Sequence, residues 1–377
     1  MAQPDPNAPP ETIAFSGFSG MKNTVTAERL TAEELVRALN VDIDDKGQLL
    51  RRRGKTLVAG GDFHSLFAAN DGTVYGVRNN NLCIINPDYS TEVLKTGLNS
   101  DPATGLSPLC YLQIGETIYF SSLQDSGKII GDVVKPWGRQ NDAGLWLSPV
   151  IHPTPTLAAI RGKLLKAPPM ATAMTYWNGR IYMANGRQLW ATELYLYDYV
   201  DATRTFFTFE TDITLLGTVG DGFYVGGLDG LWFMSGPRLD GLKRQKVMDS
   251  AVIPGSSVDV PAELANPPQI PATSDTPTQV SICFLTENGF CVAQDSGQAY
   301  NLTEAKFIFP GIQRAAAMFR RQDGVSQYLA VGDSGGTPTA AARIGDFADA
   351  EIIRGGGRWS LVVDQVTFGD AVDATII

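Results

Sequence analysis

The stretch TLLGTVGDGFYVGGLDGLWFMSG, residues 214–236, decides the fold. An apolar run ends at Asp221-Gly222, and a second run carrying Phe223 and Tyr224 follows. Another turn at Asp229-Gly230 leads into a third run through Leu231, Trp232 and Phe233. Short apolar runs rich in β-branched and aromatic residues, bounded by glycine turns, read as strands rather than helices. Asp-Gly and Asn-Gly supply the positive φ values that two-residue hairpin turns require. The stretch therefore predicts three antiparallel strands.

The same theme recurs on both sides. Turns are expected at Asp71-Gly72, Gly115-Glu116, Asn178-Gly179, Asn288-Gly289 and Asp323-Gly324. Tyr75, Tyr119 and Tyr182 follow the first three of these, as Tyr224 follows Asp221-Gly222. The intervals between turns are 44, 63, 43, 67 and 35 residues, around a base unit of about 40–45 that matches a propeller blade. The two long intervals imply loop insertions at about 131–170 and 240–278, the second rich in Pro, Ser and Thr. One such sheet cannot bury both of its faces alone, whereas neighbours arranged around an axis cover them. The expectation is an all-β chain, a β-propeller of six blades, plus or minus one; two packed β-sandwiches are the alternative.

Residues 1–57 read as an N-terminal extension and 58–377 as the propeller. Within the extension, TAEELVRALN (31–40) offers Thr31 and Glu34 as a capping box, with Leu35 and Leu39 on one face, and predicts a short helix. NVDIDDKGQLLRRRG (40–54) alternates, turns near Gly47 and alternates again, which predicts a hairpin.

The 377 residues carry 40 acidic and 30 basic side chains, for a net charge of −10. Such a surface repels phosphates, so sequence-reading DNA binding is not expected; it suits a wall past which DNA slides. MAQPDPNAPPE has neither the basic nor the apolar region of a secretory signal, and no run of about 18 apolar residues exists, so no membrane partner is expected. Cys83, Cys110, Cys283 and Cys291 are too sparse for a disulfide scaffold and read as small buried side chains in a reducing cytoplasm. A turn at Asn288-Gly289 would pair Thr286 with Cys291 and leave Cys283 out of register.

Several motifs raise catalytic questions. VGDSGG (331–336) spells the nucleophile motif of trypsin-like proteases at Ser334. That chemistry needs a histidine base and an orienting aspartate, and His64 and His152, the two histidines, lack the family's surroundings. Asp-Ser-Gly also punctuates QDSGK (124–128) and QDSGQ (294–298), so Ser334 reads as a turn. DIDDKG (42–47) starts like a calcium loop but places Lys46 and Arg53 where oxygen ligands belong. Two histidines fit no zinc spacing, and no phosphate-cradling motif occurs, so neither metal nor cofactor is expected. Asn301-Leu302-Thr303 is a glycosylation sequon in form and reads as a strand end. Trp177, Trp190, Trp232 and Tyr224 are candidates for a sugar site but fit blade packing better. Asp221 and Asp229 are a conceivable carboxylate pair with equally good turn-forming roles. Arg51, Arg52 and Arg53 stand out in an acidic chain, either as a solvated edge or as a contact for an acidic partner or DNA.

The segment FSGFSGMKNTVTAERLTAEELVRALNVDIDDKGQLLRRRGK (15–55), with its helix-like run ending in NVDIDDKGQLLRR ahead of propeller-like repeats, resembles the opening of structural proteins of tailed bacteriophages. The arrangement looks like the propeller-bearing tail-nozzle, hub or neck proteins of short-tailed phages. That resemblance implies a non-enzymatic virion subunit, assembled in the host cytoplasm. It also implies a homo-oligomeric ring around the DNA exit channel, contacting portal, adaptor or tail subunits. A virion propeller binding host-surface carbohydrate is the alternative.

Overall fold

The computed structural model describes residues 17–36, 41–43, 47–51, 59–60, 63–99, 108–138, 165–262, 280–304, 306–309, 311–322, 325–333, 349–355 and 358–364. Among them are six four-stranded antiparallel sheets in chain order. The first blade comprises Phe63–Ala68, Val74–Arg78, Asn81–Ile85 and Thr91–Lys95; the second, Cys110–Ile114, Thr117–Ser121, Ser126–Ile130 and Val133–Lys135. The third is Ala173–Trp177, Arg180–Asn185, Gln188–Ala191 and Phe206–Thr208; the fourth, Ile213–Val219, Gly222–Gly227, Gly230–Ser235 and Lys243–Met248. The fifth is Val258–Pro261, Val280–Thr286, Gly289–Gln294 and Gln298–Asn301; the sixth, Arg314–Gln322, Val325–Asp333, Asp349–Gly355 and Arg358–Asp364. This is the six-bladed β-propeller that the repeats imply.

Among the described residues, five apolar cores lie between consecutive blades. Tyr75, Val77 and Leu82 meet Ile118, Phe120 and Ile129 between the first and second blades. Tyr119 meets Met174, Ile181 and Met183 between the second and third. Tyr182, Ala184 and Leu189 meet Leu216, Phe223 and Val225 between the third and fourth. Leu215, Val219 and Tyr224 meet Ile282, Phe284 and Cys291 between the fourth and fifth. Cys283, Phe290 and Val292 meet Tyr328 and Ala330 between the fifth and sixth. The recurrent tyrosines, at 75, 119, 182, 224 and 328, are all buried at these interfaces. Period-two alternation sends one set of side chains to each neighbour, so an interior blade is apolar on both faces.

Several turns depart from their sequence reading. Gly115-Glu116 and Asn178-Gly179 are two-residue turns, closed by the pairs Ile114–Thr117 and Trp177–Arg180. Asn178 and Gly179 have φ of 51° and 78°, as a primed turn demands. Asp71-Gly72 sits in a wider loop, in which the Ala69 amide donates to the Thr73 carbonyl. In the fourth and fifth blades the turn moves back one residue, to Gly220-Asp221 and Glu287-Asn288, because Val219 pairs with Gly222 and Thr286 with Gly289. There the glycine is a strand residue chosen for its missing side chain. A Cβ at position 222 would fall on the Met234 carbonyl and the Phe233 ring. The expected pairing of Thr286 with Cys291 is corrected accordingly: Cys291 lies opposite Phe284, and Cys283 opposite Val292. Asp323-Gly324 lies outside the described residues, flanked by the pair Gln322–Val325.

The helix expected over 31–40 is absent in its described part. A single 3-10 turn spans Ala27–Arg29, and Glu34–Leu35 instead pairs in parallel with Gly20–Met21. The Thr31 amide does donate to Glu34 Oε2 at 3.0 Å, half of a capping box, but the same carboxylate takes Lys22 Nζ at 2.9 Å. Met21 is buried in the core between the fifth and sixth blades, with Phe18 and Leu35 packed against it. Burial against a preformed sheet overrides a marginal ten-residue helix. The hairpin is present, with Val41–Ile43 antiparallel to Leu49–Arg51. Asn23 fixes the segment to the fifth-to-sixth connection: its Nδ2 donates to the Ile308 carbonyl, its Oδ1 accepts from the Ile308 amide, and its own amide donates to Lys306.

Of the span 131–170 expected as an insertion, Val133–Lys135 is the last strand of the second blade and Trp137 is buried; 139–164 lies outside the described residues. Of 240–278, Lys243–Met248 and Val258–Pro261 are blade strands, and 263–279 lies outside. The long interval between turns placed Lys243–Met248 in an insertion, whereas it is an edge strand whose exposed Lys243, Arg244 and Lys246 are charges that sheet edges carry. The boundary placed at 57/58 also lies outside the described residues.

Candidate functional site

The polar side chains of the blade interfaces form clasps. Asp125, in the second blade's Gln-Asp-Ser-Gly, accepts from Lys95 Nζ at 2.8 Å and from the Asn99 amide of the segment after the first blade. Asp198 of the third takes Lys128 Nζ of the second at 2.7 Å, and Trp137 Nε1 donates to the Tyr197 carbonyl at 2.9 Å. Thr175 and Thr218 join the third and fourth blades by a hydroxyl bond of 2.7 Å. The fourth and fifth exchange carboxylates: the Gly220 amide donates to Asp295 Oδ1 at 2.7 Å, and the Ser296 amide donates to Asp221 Oδ1 at 2.9 Å. Tyr224 donates its hydroxyl to the Gln294 and Gln298 carbonyls, and Tyr328 donates to the Ser256 carbonyl across the last interface. Asp125 and Asp295 escaped the sequence reading. Their signal was the Gln-Asp-Ser-Gly shared by two blades.

The residues suspected of chemistry take structural partners. Asp221 is held by Ser296, and Asp229 accepts from Thr211 Oγ1 at 2.6 Å. His64 Nδ1 lies 2.8 Å from Ser65 Oγ, while Ser334 and His152 lie outside the described residues. Tyr224 is fully buried; Trp177 packs on Phe223 with ring centroids 5.6 Å apart, Trp190 on Phe206 at 5.0 Å, and Trp232 on Phe209 at 6.3 Å. Asn301 ends a strand, donating to the Asn288 carbonyl and accepting from the Thr303 amide. All four cysteines are free thiols. Cys83, Cys283 and Cys291 are buried and Cys110 half-buried, and burial pushes Cys291 up to about 12. Arg51 is an exposed strand residue opposite Val41; Arg52 and Arg53 lie outside the described residues. Among the described residues no group of three or more His, Cys, Asp or Glu side chains is placed to hold a metal, and no helix is long and apolar enough to cross a membrane.

Two surface features remain. A groove of about 720 Å³ opens on the first blade, where Phe63, Leu66 and Tyr89 meet the carboxylates of Asp71, Glu92 and Asp132. On the fourth blade, the edge strand Lys243–Met248 exposes Lys243, Arg244, Gln245 and Lys246 in succession. The Arg244 guanidinium stacks 4.6 Å from the Trp232 ring centroid and 5.2 Å from that of Phe209. Lys246 lies 5.5 Å from the Trp232 ring and pairs with the exposed Asp249 at 2.7 Å.

No protein-family model matches the chain, and no curated protein matches it. Among solved structures it is similar to an extracellular domain from B. thetaiotaomicron, at 12% identity and a TM-score of 0.45, over 80% of this chain and 33% of that one. The WD40 domain of Neurospora crassa Pan2 is similar at 7% identity and a TM-score of 0.38, over 81% and 80% of the two chains. Kluyveromyces lactis Hsv2 is similar at 10% identity and a TM-score of 0.37, over 84% and 89%. The chain spans about a third of the first of these. By fold it is a β-propeller. The described part of its N-terminal segment is fastened to the fifth and sixth blades, and the described surface carries an acidic groove and a basic edge.

Proposed function

We propose that the chain is a non-enzymatic structural subunit of a tailed-phage virion, a nozzle, hub or neck protein that forms a ring around the DNA exit channel. The observation that carries this reading is the N-terminal segment. Its residues resemble the openings of phage structural proteins, and in its described part Met21 and Asn23 bind it to the propeller body. A stiff body suits a ring that must keep its geometry under load, and the interfaces here combine apolar cores with charged clasps. The net charge of −10 disfavours adhesion of passing phosphates.

The test is gold-labelled antibody against this chain on purified virions, together with the native mass of the isolated protein. Label at the tail or neck and a mass that is a fixed multiple of the 40.6 kDa chain are expected. Particles free of label would reject the reading.

A further inference from the structure

The ring reading requires two different surfaces on one chain that fit each other, because a heterologous interface repeats by rotation. The basic edge of the fourth blade and the acidic groove of the first blade meet that requirement. In a chain of 40 acidic and 30 basic side chains, three cations in four positions are a local reversal of sign, although Lys246 shares its charge with Asp249 of its own chain. Arg244 is held over Trp232 and Phe209, so it presents its charge from a fixed platform rather than a mobile stem. As an edge strand, Lys243–Met248 pairs on one side with Gly230–Ser235, and among the described residues no strand pairs with its other side.

The groove supplies the complement. Asp71 and Glu92 of the first blade and Asp132 of the second provide three carboxylates, of which Asp71 also accepts from the Thr73 amide and Asp132 from the Tyr75 hydroxyl. Leu66 and Tyr89, 44% and 40% exposed, provide apolar surface for the stems of long cations. When six blades close around one axis they stand about 60° apart, an arrangement that sets the first and fourth on opposite sides of the body. Complementary patches on opposite sides join copies head to tail.

We propose that the basic edge Lys243–Met248 of one copy docks into the first-blade groove of the next, setting Lys243, Arg244 and Lys246 against Asp71, Glu92 and Asp132. This rests on the ring reading and names its interface. A lone basic edge that only blocks aggregation would need no acidic counterpart of matching charge.

The test measures assembly of the full chain by sedimentation velocity across protein and salt concentration. Lys243→Glu/Lys246→Glu is expected to weaken assembly by about tenfold or more, as is Glu92→Lys/Asp132→Asn, with unchanged melting. Joining both sets in one chain sets the two new carboxylates against one new lysine and a neutral amide in place of the original carboxylates, and is expected to recover part of the loss. Lys243→Gln, which alters a single exposed side chain, is expected to weaken assembly about twofold and to remove part of the salt dependence. If the wild type assembles and the reversed variants assemble equally well, or the joined variant does not recover, this interface is overturned while the ring stands. If the wild type stays monomeric at every concentration, the ring falls and the interface with it.

Discussion

The interface between the fourth and fifth blades and the surface of the first blade are built from the same repeat, yet they differ in what surrounds them. Val280–Thr286 is buried at every position but Val280, and Gly222–Gly227 is buried throughout. In the first blade, neither Phe63–Ala68 nor Thr91–Lys95 holds a buried residue, and Leu66 and Val93 stand 44% and 48% exposed. The strands compared also differ in place: the first blade's central strand Val74–Arg78 buries Tyr75, Gly76 and Val77, while the fourth blade's edge strand Lys243–Met248 holds no buried residue. A strand flanked on both sides is apolar, whereas one at the edge of its sheet can carry charge. The difference teaches that burial follows a strand's place in its sheet as much as the blade it belongs to.

The largest effects should separate these two regions. Phe284→Ala empties a fully buried site between the fourth and fifth blades and should cost about 3–5 kcal/mol, whereas Leu66→Ala in the first blade should cost less than about 1. Equal losses on urea denaturation would break the contrast. Next comes the glycine at 222. Gly222→Ala drives a methyl into the Met234 carbonyl and should cost about 1–3 kcal/mol, against little change for Gly241→Ala, where nothing lies within 4 Å. Thermal melting of the two variants checks this.

The clasps come third. Asp295→Ala leaves the Gly220 amide without its carboxylate and should cost about 1–2 kcal/mol. Its effect should add to that of Leu66→Ala, since the sites share no partner. The smallest effect is electrostatic. Asp259, on the first strand of the fifth blade, keeps exposed surface, but the protein crowding its carboxyl pushes it from 3.8 up to about 6. The native state therefore holds that proton more tightly than the unfolded chain. The stabilisation is present in full below about pH 4 and is lost as pH rises through about 6. With solvent screening it should stay below about 1 kcal/mol. Asp259→Asn should flatten that part of the stability profile, and an unchanged slope would assign it to other groups.

Much of the fold was legible in short stretches. The runs around 214–236, the recurrent tyrosines and the glycine turns specify strands and their number, because period-two burial and turn chemistry act over a few residues. The clasps were half legible. Asp-Ser-Gly reads as a turn at any position, and nothing in its letters says that the Asp125 and Asp295 carboxylates reach another blade. The helix expected at 31–40 is absent over its described residues 31–36 for the opposite reason, since local propensity was present and a distant surface outweighed it.

The sequence by itself determined that this is an acidic, all-β repeat protein with six hinged units, since those properties follow from composition and local periodicity. Only the tertiary structure decided which glycines turn and which make room, and which aspartates bind across blades. It also decided that the N-terminal segment lies against the fifth and sixth blades. Each of those depends on contacts between residues far apart in the chain, such as the 285 positions separating Asn23 from Ile308, and no local pattern encodes them.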